Sequence, residues 1–477
     1  MKPQARLIAI VVVVLLFVPI IALQTWIDPQ RKQFLPQNDQ IGTIGQHLPI
    51  AFTLGAAAGF REAVAGLLWV RTDKFFHEGN YDAIVPMVRI ITWLDPHNID
   101  VYQTGAWHLD YNFTDNEQRS DRRYLPLSVA LLQEGIEQNP TITKLYADLA
   151  FTHYFRKMCN YERSVYWYRQ AEAQKATDYR LPLSLDPQTG KTDHYVMDSW
   201  YGTPRPKPLS DPTIVGHGLA HALQASGDID GAIAAWQDCI VEHKRLIDES
   251  PDTKYQDESG LRVSERNLFE TIMRKKFRET DTKPPVNVNF NAWIVRTAPR
   301  QFRFEGRASF LGATKFTLEG HKVTWGPVDG ARIGFRLEDE GYQQPQTLPF
   351  VLNVKLPKNV TIMQDSAAVS KGAFSRRVNM DEDSRGDNPM YPFKSKTGRY
   401  KVTFWFDPRD PASCPPNLAD RIGWMGEGIT DKNFLDLSGQ VPGSLQAPGE
   451  KFNVRLLKKV IYLTQDDIMG SGEKKFE

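Results

Sequence analysis

Three regimes of hydrophobic spacing divide the chain. Residues 7–23, LIAIVVVVLLFVPIIAL, are continuously apolar, and Gln24-Thr25-Trp26-Ile27 extends the run. From Ala51 to Arg278 the apolar positions recur every three or four residues, the helical period. Beyond Thr282-Lys283-Pro284-Pro285 the period falls to two. Val286, Val288 and Phe290 alternate with three asparagines, Phe302 and Phe304 with Gln301, Arg303 and Glu305, and Ile333, Phe335 and Leu337 with Arg332, Gly334 and Arg336. Val402, Phe404 and Phe406 alternate with Lys401, Thr403 and Trp405. Short alternating runs between Gly/Pro/Asp turns predict an antiparallel β-sandwich over 281–477, with one wet face per strand and a long loop at 407–450.

Within the helical regime, residues 65–98 read as helix, tight turn at Glu78-Gly79-Asn80, second helix, and a stop at Asp95-Pro96. Three later stretches repeat that plan. One runs from about Ile99 to Pro140 with an inserted loop near NFTDNEQRSDRR. The next starts at Thr143 and turns at Asn160-Tyr161-Glu162; the last is GHGLAHALQASGDIDGAIAAWQDCI, turning at Gly227-Asp228-Ile229. Small residues such as Ala220 and Ala232 let paired helices approach closely. Residues 177–212, rich in Pro, Asp and Thr but carrying Tyr195, Trp200 and Tyr201, interrupt the series. Gly260 to Arg278 reads as a charged helix capping its end.

A period near 34 residues, with glycine and tyrosine at the turn, small residues in both helices and closing prolines Pro96 and Pro140, resembles the tetratricopeptide repeat family over roughly residues 60–248. The stretches LLWVRTDKFFHEGNYDAIV, LDP and GAWHLDYN also resemble membrane-anchored bacterial repeat proteins of uncharacterised function. The family resemblance implies an α-solenoid whose first helices line a concave surface. Carried over residue by residue, that surface includes Trp69, Asp73 and Phe76, then Asp100, Gln103, Trp107 and Asp110, then Lys144, Phe151 and Tyr154, and finally His217, His221 and Gln224. Aromatics with a few carboxylates and imidazoles suit an extended peptide. The alternative is that Trp69, Trp107 and Phe151 pack against the chain's own stretches 51–70 or 177–212.

The apolar run sets an expectation of location. About 21 residues span roughly 30 Å as a helix, the thickness of a bilayer core. An uncleaved transmembrane signal anchor at 1–27 is favoured over a cleaved signal peptide, because the run is long and Ile20 and Ala22 make a poor cleavage site. The bulk is then expected on the extracytoplasmic, periplasmic side. Residues 28–60 become a connector and packing helix, 61–280 the solenoid, and 281–477 the β-domain.

Composition removes some alternatives. Net charge is +1, from 58 basic and 57 acidic residues, which leaves no electrostatic footprint for nucleic acid. Cys159, Cys239 and Cys414 are widely spaced and form neither a zinc nor a disulfide pattern. His217 and His221 stand at i, i+4, but Gly218 occupies the place where a zinc protease needs its glutamate, so a polar groove pair is preferred to a metal site. Asp381, Glu382, Asp383 and Asp387 crowd one stretch that reads as a solvated turn, with no EF-hand spacing. The stretch DRIGWMGEGITDKNF (420–434), with its glycines and Trp424, is either a ligand-facing loop or a tight turn capped by an aromatic. No nucleophile elbow, phosphate loop or dinucleotide fingerprint occurs.

The expectation is therefore a multidomain α-then-β chain that needs no cofactor. It acts as a membrane-anchored, non-enzymatic scaffold whose repeats bind a partner protein or peptide in an envelope assembly. The alternative is a polymer- or glycan-binding envelope protein acting through the β-sandwich.

Overall fold

The computed structural model describes residues 60–77, 81–112, 125–173, 181–185, 192–197, 204–205, 212–249, 254–280, 285–316, 323–340, 360–380, 398–441 and 453–477. The expected anchor at 1–27, nearly all of the connector at 28–60, and the acidic stretch at 381–387 lie outside them. Among the described residues no helix is long and apolar enough to cross a membrane. The longest, Lys254–Thr280, carries charge along its whole length. The expectation of a single-pass membrane protein with a periplasmic bulk is thus not supported, and the described residues form helices and antiparallel sheets.

The chain divides into two compact units, one comprising Met1–Ala106, Ala130–Pro140 and Thr347–Val354, the other the remainder. In the first, helices α1 (Arg61–His77) and α2 (Tyr81–Leu94) precede the start of α3 (Ile99–Trp107) and the end of α4 (Leu125–Gln138). Glycines set the packing distances. A Cβ on Gly105 would lie 3.0 Å from Val88, and one on Gly135 would lie 2.8 Å from the ring of fully buried Tyr102. Asn139 fastens the turn after α2: its Nδ2 donates to the Pro96 carbonyl (2.9 Å), and its Oδ1 meets His97 Nδ1 (2.9 Å). Arg89 and Glu134 form an ion pair beside them.

The second unit holds two π-helical segments, π1 (His108–Asn112) and π2 (Leu149–Lys157), with α5 (Thr143–Asp148), α6 (Tyr161–Ala173), α7 (Pro212–Ser226), α8 (Ile229–Glu249) and α9 (Lys254–Thr280). Strands β1 (Leu181–Leu185), β2 (Thr192–Met197) and β3 (Pro204–Arg205) pair within the interruption between α6 and α7. Gly218 of α7 lies against the Tyr168 hydroxyl of α6, where a Cβ would sit 2.1 Å away, so these helices meet only over glycine. The α7–α8 turn uses Gly227 at φ +94°, a left-handed conformation that glycine adopts without strain. Asp228 then caps α8 by accepting from Gly231 N (2.9 Å).

Beyond α9 the same unit builds two antiparallel sheets. The strands are β4 (Asn291–Ala298), β5 (Gln301–Arg307), β6 (Leu311–Phe316), β7 (Val323–Pro327), β8 (Arg332–Asp339), β9 (Val360–Ala368), β10 (Ala373–Asn379), β11 (Arg399–Phe406), β12 (Leu435–Asp436), β13 (Leu456–Thr464) and β14 (Lys474–Phe476). One sheet has the order β10-β5-β4-β14 and the other β12-β13-β11-β8-β9; β6 and β7 form a separate ribbon. Their alternating residues share one core, with Phe304 of the first sheet 5.0 Å from Phe335 and 5.6 Å from Phe404 of the second. The expected wet face of β8 and β11 is a correction. Arg336, Thr403 and Trp405 are buried: Val441, Val454 and Leu456 pack on Trp405, Cys159 and Met425 pack against that cluster, and Arg336 lies 5.9 Å from the Trp405 ring. The expected long loop at 407–450 contains a short helix, α10 (Pro416–Ile422), as well as β12.

Two cationic contacts join helices to sheets inside this unit. The Arg409 side chain, wholly shielded from solvent, donates to Asp407 (3.2 and 3.3 Å), to Glu162 (3.3 Å) and to the Cys159 carbonyl (3.4 Å). Its guanidinium lies 4.8 Å from the Tyr161 ring centre. On α9, Arg274 and Arg278 both donate to Asp420 (2.7 and 3.0 Å), and Arg278 stacks 3.4 Å over Trp424. Burial pulls the Arg278 pKa down to about 10. Removing one partner of such a buried set strands the other charge. Arg409→Ala is therefore expected to lower the unfolding free energy by about 3–5 kcal/mol in urea denaturation, with part of that loss recovered in the Arg409→Ala/Asp407→Ala double variant.

Candidate functional site

Of the aromatic side chains expected on a binding face, Phe151 and Tyr154 lie in π2 and Trp107 immediately precedes π1. A π-turn inserts one extra residue into a helix, rotating the side chains that follow and often marking a functional position. In π1 and the residue before it, Trp107 is 39% exposed and stacks on Tyr111 with ring centres 6.3 Å apart. In π2, Phe151 is 40% exposed and stacks on Phe155 at 5.8 Å, with Arg156 5.7 Å from the Phe151 ring. The segments are tied directly, since the Tyr111 hydroxyl donates to the Thr152 carbonyl (2.9 Å) and Lys157 Nζ lies 4.9 Å from the Tyr111 ring.

Beneath this surface lies a buried polar clamp. His153 Nδ1 meets Asp110 Oδ2 (2.5 Å) and Ser128 Oγ (2.8 Å), and all three residues are buried. Both partners address the same ring nitrogen. A hydrolytic triad needs serine and carboxylate on opposite nitrogens, so that the ring passes a proton between them. This arrangement instead fixes the two π-segments relative to α4.

The expected groove residues separate accordingly. Trp69 and Phe76 are half-buried on α1, while Asp73 is exposed and paired with His77 at 3.6 Å; Gln103 is half-buried on α3. These four belong to the first unit. In the second, Trp107 and Phe151 reach solvent, whereas Asp110 and Tyr154 are buried and line no surface. Gln224 is half-buried at the end of α7.

His217 and His221 do share one helical face, but indole lies between them: Trp236 stands edge-on to both, at 5.2 and 4.9 Å. His217 turns instead to α8 and α9. Its Nε2 lies 2.7 Å from Ser264 Oγ and 3.2 Å from His243 Nε2, and His243 Nδ1 lies 3.6 Å from Asp257. Ser264 spends its own proton on the Gly260 carbonyl (2.9 Å), so His217 Nε2 is the donor to Ser264 and His243 Nε2 the unprotonated neighbour. Among the described residues no group of three His, Cys, Asp or Glu could hold a metal ion.

Residues 420–434 resolve into two parts. Trp424 is covered by Arg278 and presents no free platform. Thr430 to Phe434 face a cavity of about 670 Å³ together with Asn287, Asn289 and Asn291. Sequence reasoning missed His153, Ser128 and Arg409, since a lone histidine or arginine carries no spacing signal.

No protein-family model matches the chain, and neither does any curated protein. Among solved structures, the crystal structure of MamA protein matches with a TM-score of 0.24 and 12% identity, covering 46% of this chain and 97% of that one. A TM-score that low carries no argument about this chain.

His221 keeps an edge in solvent, yet packing in the protein lowers its pKa from the ordinary value. The unfolded chain therefore takes up its proton first, below about pH 6.5, and stability present above that pH is lost as pH falls through the folded-state value. His221→Gln should flatten the decline in Tm between about pH 7.5 and 5.5 relative to the parent, measured by thermal denaturation.

Proposed function

We propose that this chain is a non-enzymatic interaction scaffold whose helical repeats bind an extended segment of a partner protein. The observation that supports this reading is the pair of neighbouring aromatic stacks, Trp107 on Tyr111 at the α3–π1 junction and Phe151 on Phe155 in π2. Aromatic anchors on a rigid base supply most of the energy of such interfaces, because they bury much area with little side-chain freedom to lose. Exposed Arg156 beside Phe151 favours a partner segment with a carboxylate flanking its apolar anchors. The role of the Asp110–His153–Ser128 clamp is to keep the stacks in place before the partner arrives.

The test is a random peptide display selection on the full chain, followed by fluorescence polarisation with the enriched peptides. Trp107→Ala and Phe151→Ala should each weaken binding by about tenfold or more, the scale of a hot-spot residue. Val241→Ala, at an exposed apolar position on α8, should leave it unchanged. Enriched peptides that bind both aromatic variants as tightly as the parent would sink the reading.

A further inference from the structure

The alternation of Val286, Val288 and Phe290 with Asn287, Asn289 and Asn291 has a consequence that the repeat helices do not absorb. The three apolar residues enter the core of the sheets, which sends the asparagines to the other side. A parallel bridge between Val286 and Ile429 then brings a second segment alongside. Val286 N donates to the Gly428 carbonyl (2.8 Å) and Thr430 N to the Val286 carbonyl (2.9 Å). Asn287, Asn289 and Asn291 consequently share the walls of one cavity with Thr430, Asn433 and Phe434. Its volume, about 670 Å³, falls in the range of small-ligand sites, about 300–1,000 Å³.

The hydrogen-bonding capacity left in this cavity can be counted. Asn291 Oδ1 accepts from Ala292 N (2.9 Å) and from Lys459 Nζ (2.8 Å), which identifies it as the oxygen and leaves Nδ2 as a donor. Asn287 Oδ1 accepts from Asn289 N (3.0 Å), leaving its Nδ2 likewise. The Asn289 and Asn433 side chains, both exposed, keep a full carboxamide each. Asn289 sits at φ +51°, a left-handed conformation that asparagine tolerates better than most residues. The one carboxylate at the site is spent on the fold: Asp431 is buried, taking Phe290 N (2.7 Å) on one oxygen and Asn433 N (3.2 Å) on the other. What remains facing the cavity is a set of neutral amides, a hydroxyl and one half-buried phenyl ring, with Lys432 exposed among them.

We propose that this cavity is a binding site for a neutral saccharide. A carboxamide offers a donor and an acceptor about 2.3 Å apart, which matches the alternating donors and acceptors of neighbouring sugar hydroxyls. Carboxamides outnumber the charged side chains of this lining, Asp431 and Lys432, and four of them together suit a ligand dense in hydroxyls. The half-buried Phe434 ring, T-shaped to Phe290 at 5.6 Å and with Lys459 Nζ 5.3 Å from its centre, supplies the apolar contact for sugar C–H groups. The site is separate from the aromatic stacks of the π-segments, and neither reading depends on the other.

Titration calorimetry on the full chain, with cellotriose, maltotriose and chitotriose as probes and a blocked trialanine peptide as comparison, tests the proposal. At least one trisaccharide should bind with a Kd of about 1 mM or below, and Asn287→Ala/Asn433→Ala should weaken it about tenfold or more. Asn289→Asp, which keeps the size and the backbone preference but exchanges donor for acceptor, should weaken it comparably with an unchanged Tm. Absence of binding by all three sugars up to about 10 mM, binding that survives both variants, or binding of the peptide alone would each overturn the proposal.

Discussion

The second unit depends on one buried cation. Arg409 sits at the end of the strand β11 segment with its guanidinium out of water, held by Asp407 from its own loop and by Glu162 and the Cys159 carbonyl from the third helical hairpin. A charge so placed tolerates no alternative geometry, because each lost partner leaves a desolvated ion. The thiol of Cys159, beside it, is pushed up to about 12 by burial and by the nearby Asp410 and Asp407, which keeps it in its neutral form. Helix and sheet are thereby fixed at one point, and Arg278 between Asp420 and Trp424 fixes them at another.

Rigidity at those points allows looseness in helical geometry elsewhere. Two π-segments, five and nine residues long, are tied to each other through Tyr111 and Thr152, and the second ends two residues before Cys159, which Arg409 holds. The buried Asp110–His153–Ser128 set links the two segments from beneath. Along these stretches Trp107 and Phe151 are exposed, whereas Asp110 and Tyr154 are buried.

Much of the architecture was legible in the sequence because it rests on periodicity. The turn at Gly227-Asp228, the closely packed Ala220 and Ala232, and the alternation through Phe335 and Phe404 all follow from spacing alone. What escaped were features whose cause is remote in sequence. Trp405 reads as a wet-face residue until Val441 and Val454 cover it. Asp110 reads as a groove carboxylate until a π-turn carries it inward to His153. The same limit applied to the three asparagines: their alternation was plain, but the partner segment at Thr430–Phe434 was not. The apolar run at 7–23 lies outside the described residues, and none of the described helices crosses a membrane.

The Glu162–Arg409 contact spans 247 positions of chain, and Arg274–Asp420 spans 146. A polypeptide emerging from the ribosome at about 5–20 residues per second needs roughly 12–50 s to supply Arg409 after Glu162 has appeared. Through that interval the third hairpin has its carboxylate and its Tyr161 ring but not the cation that completes them. The helical and sheet halves of this unit are therefore no pair of interchangeable modules: cutting or recombining the chain between them would leave each with an unfinished seam. Its evolution is constrained to proceed on both sides of that seam together.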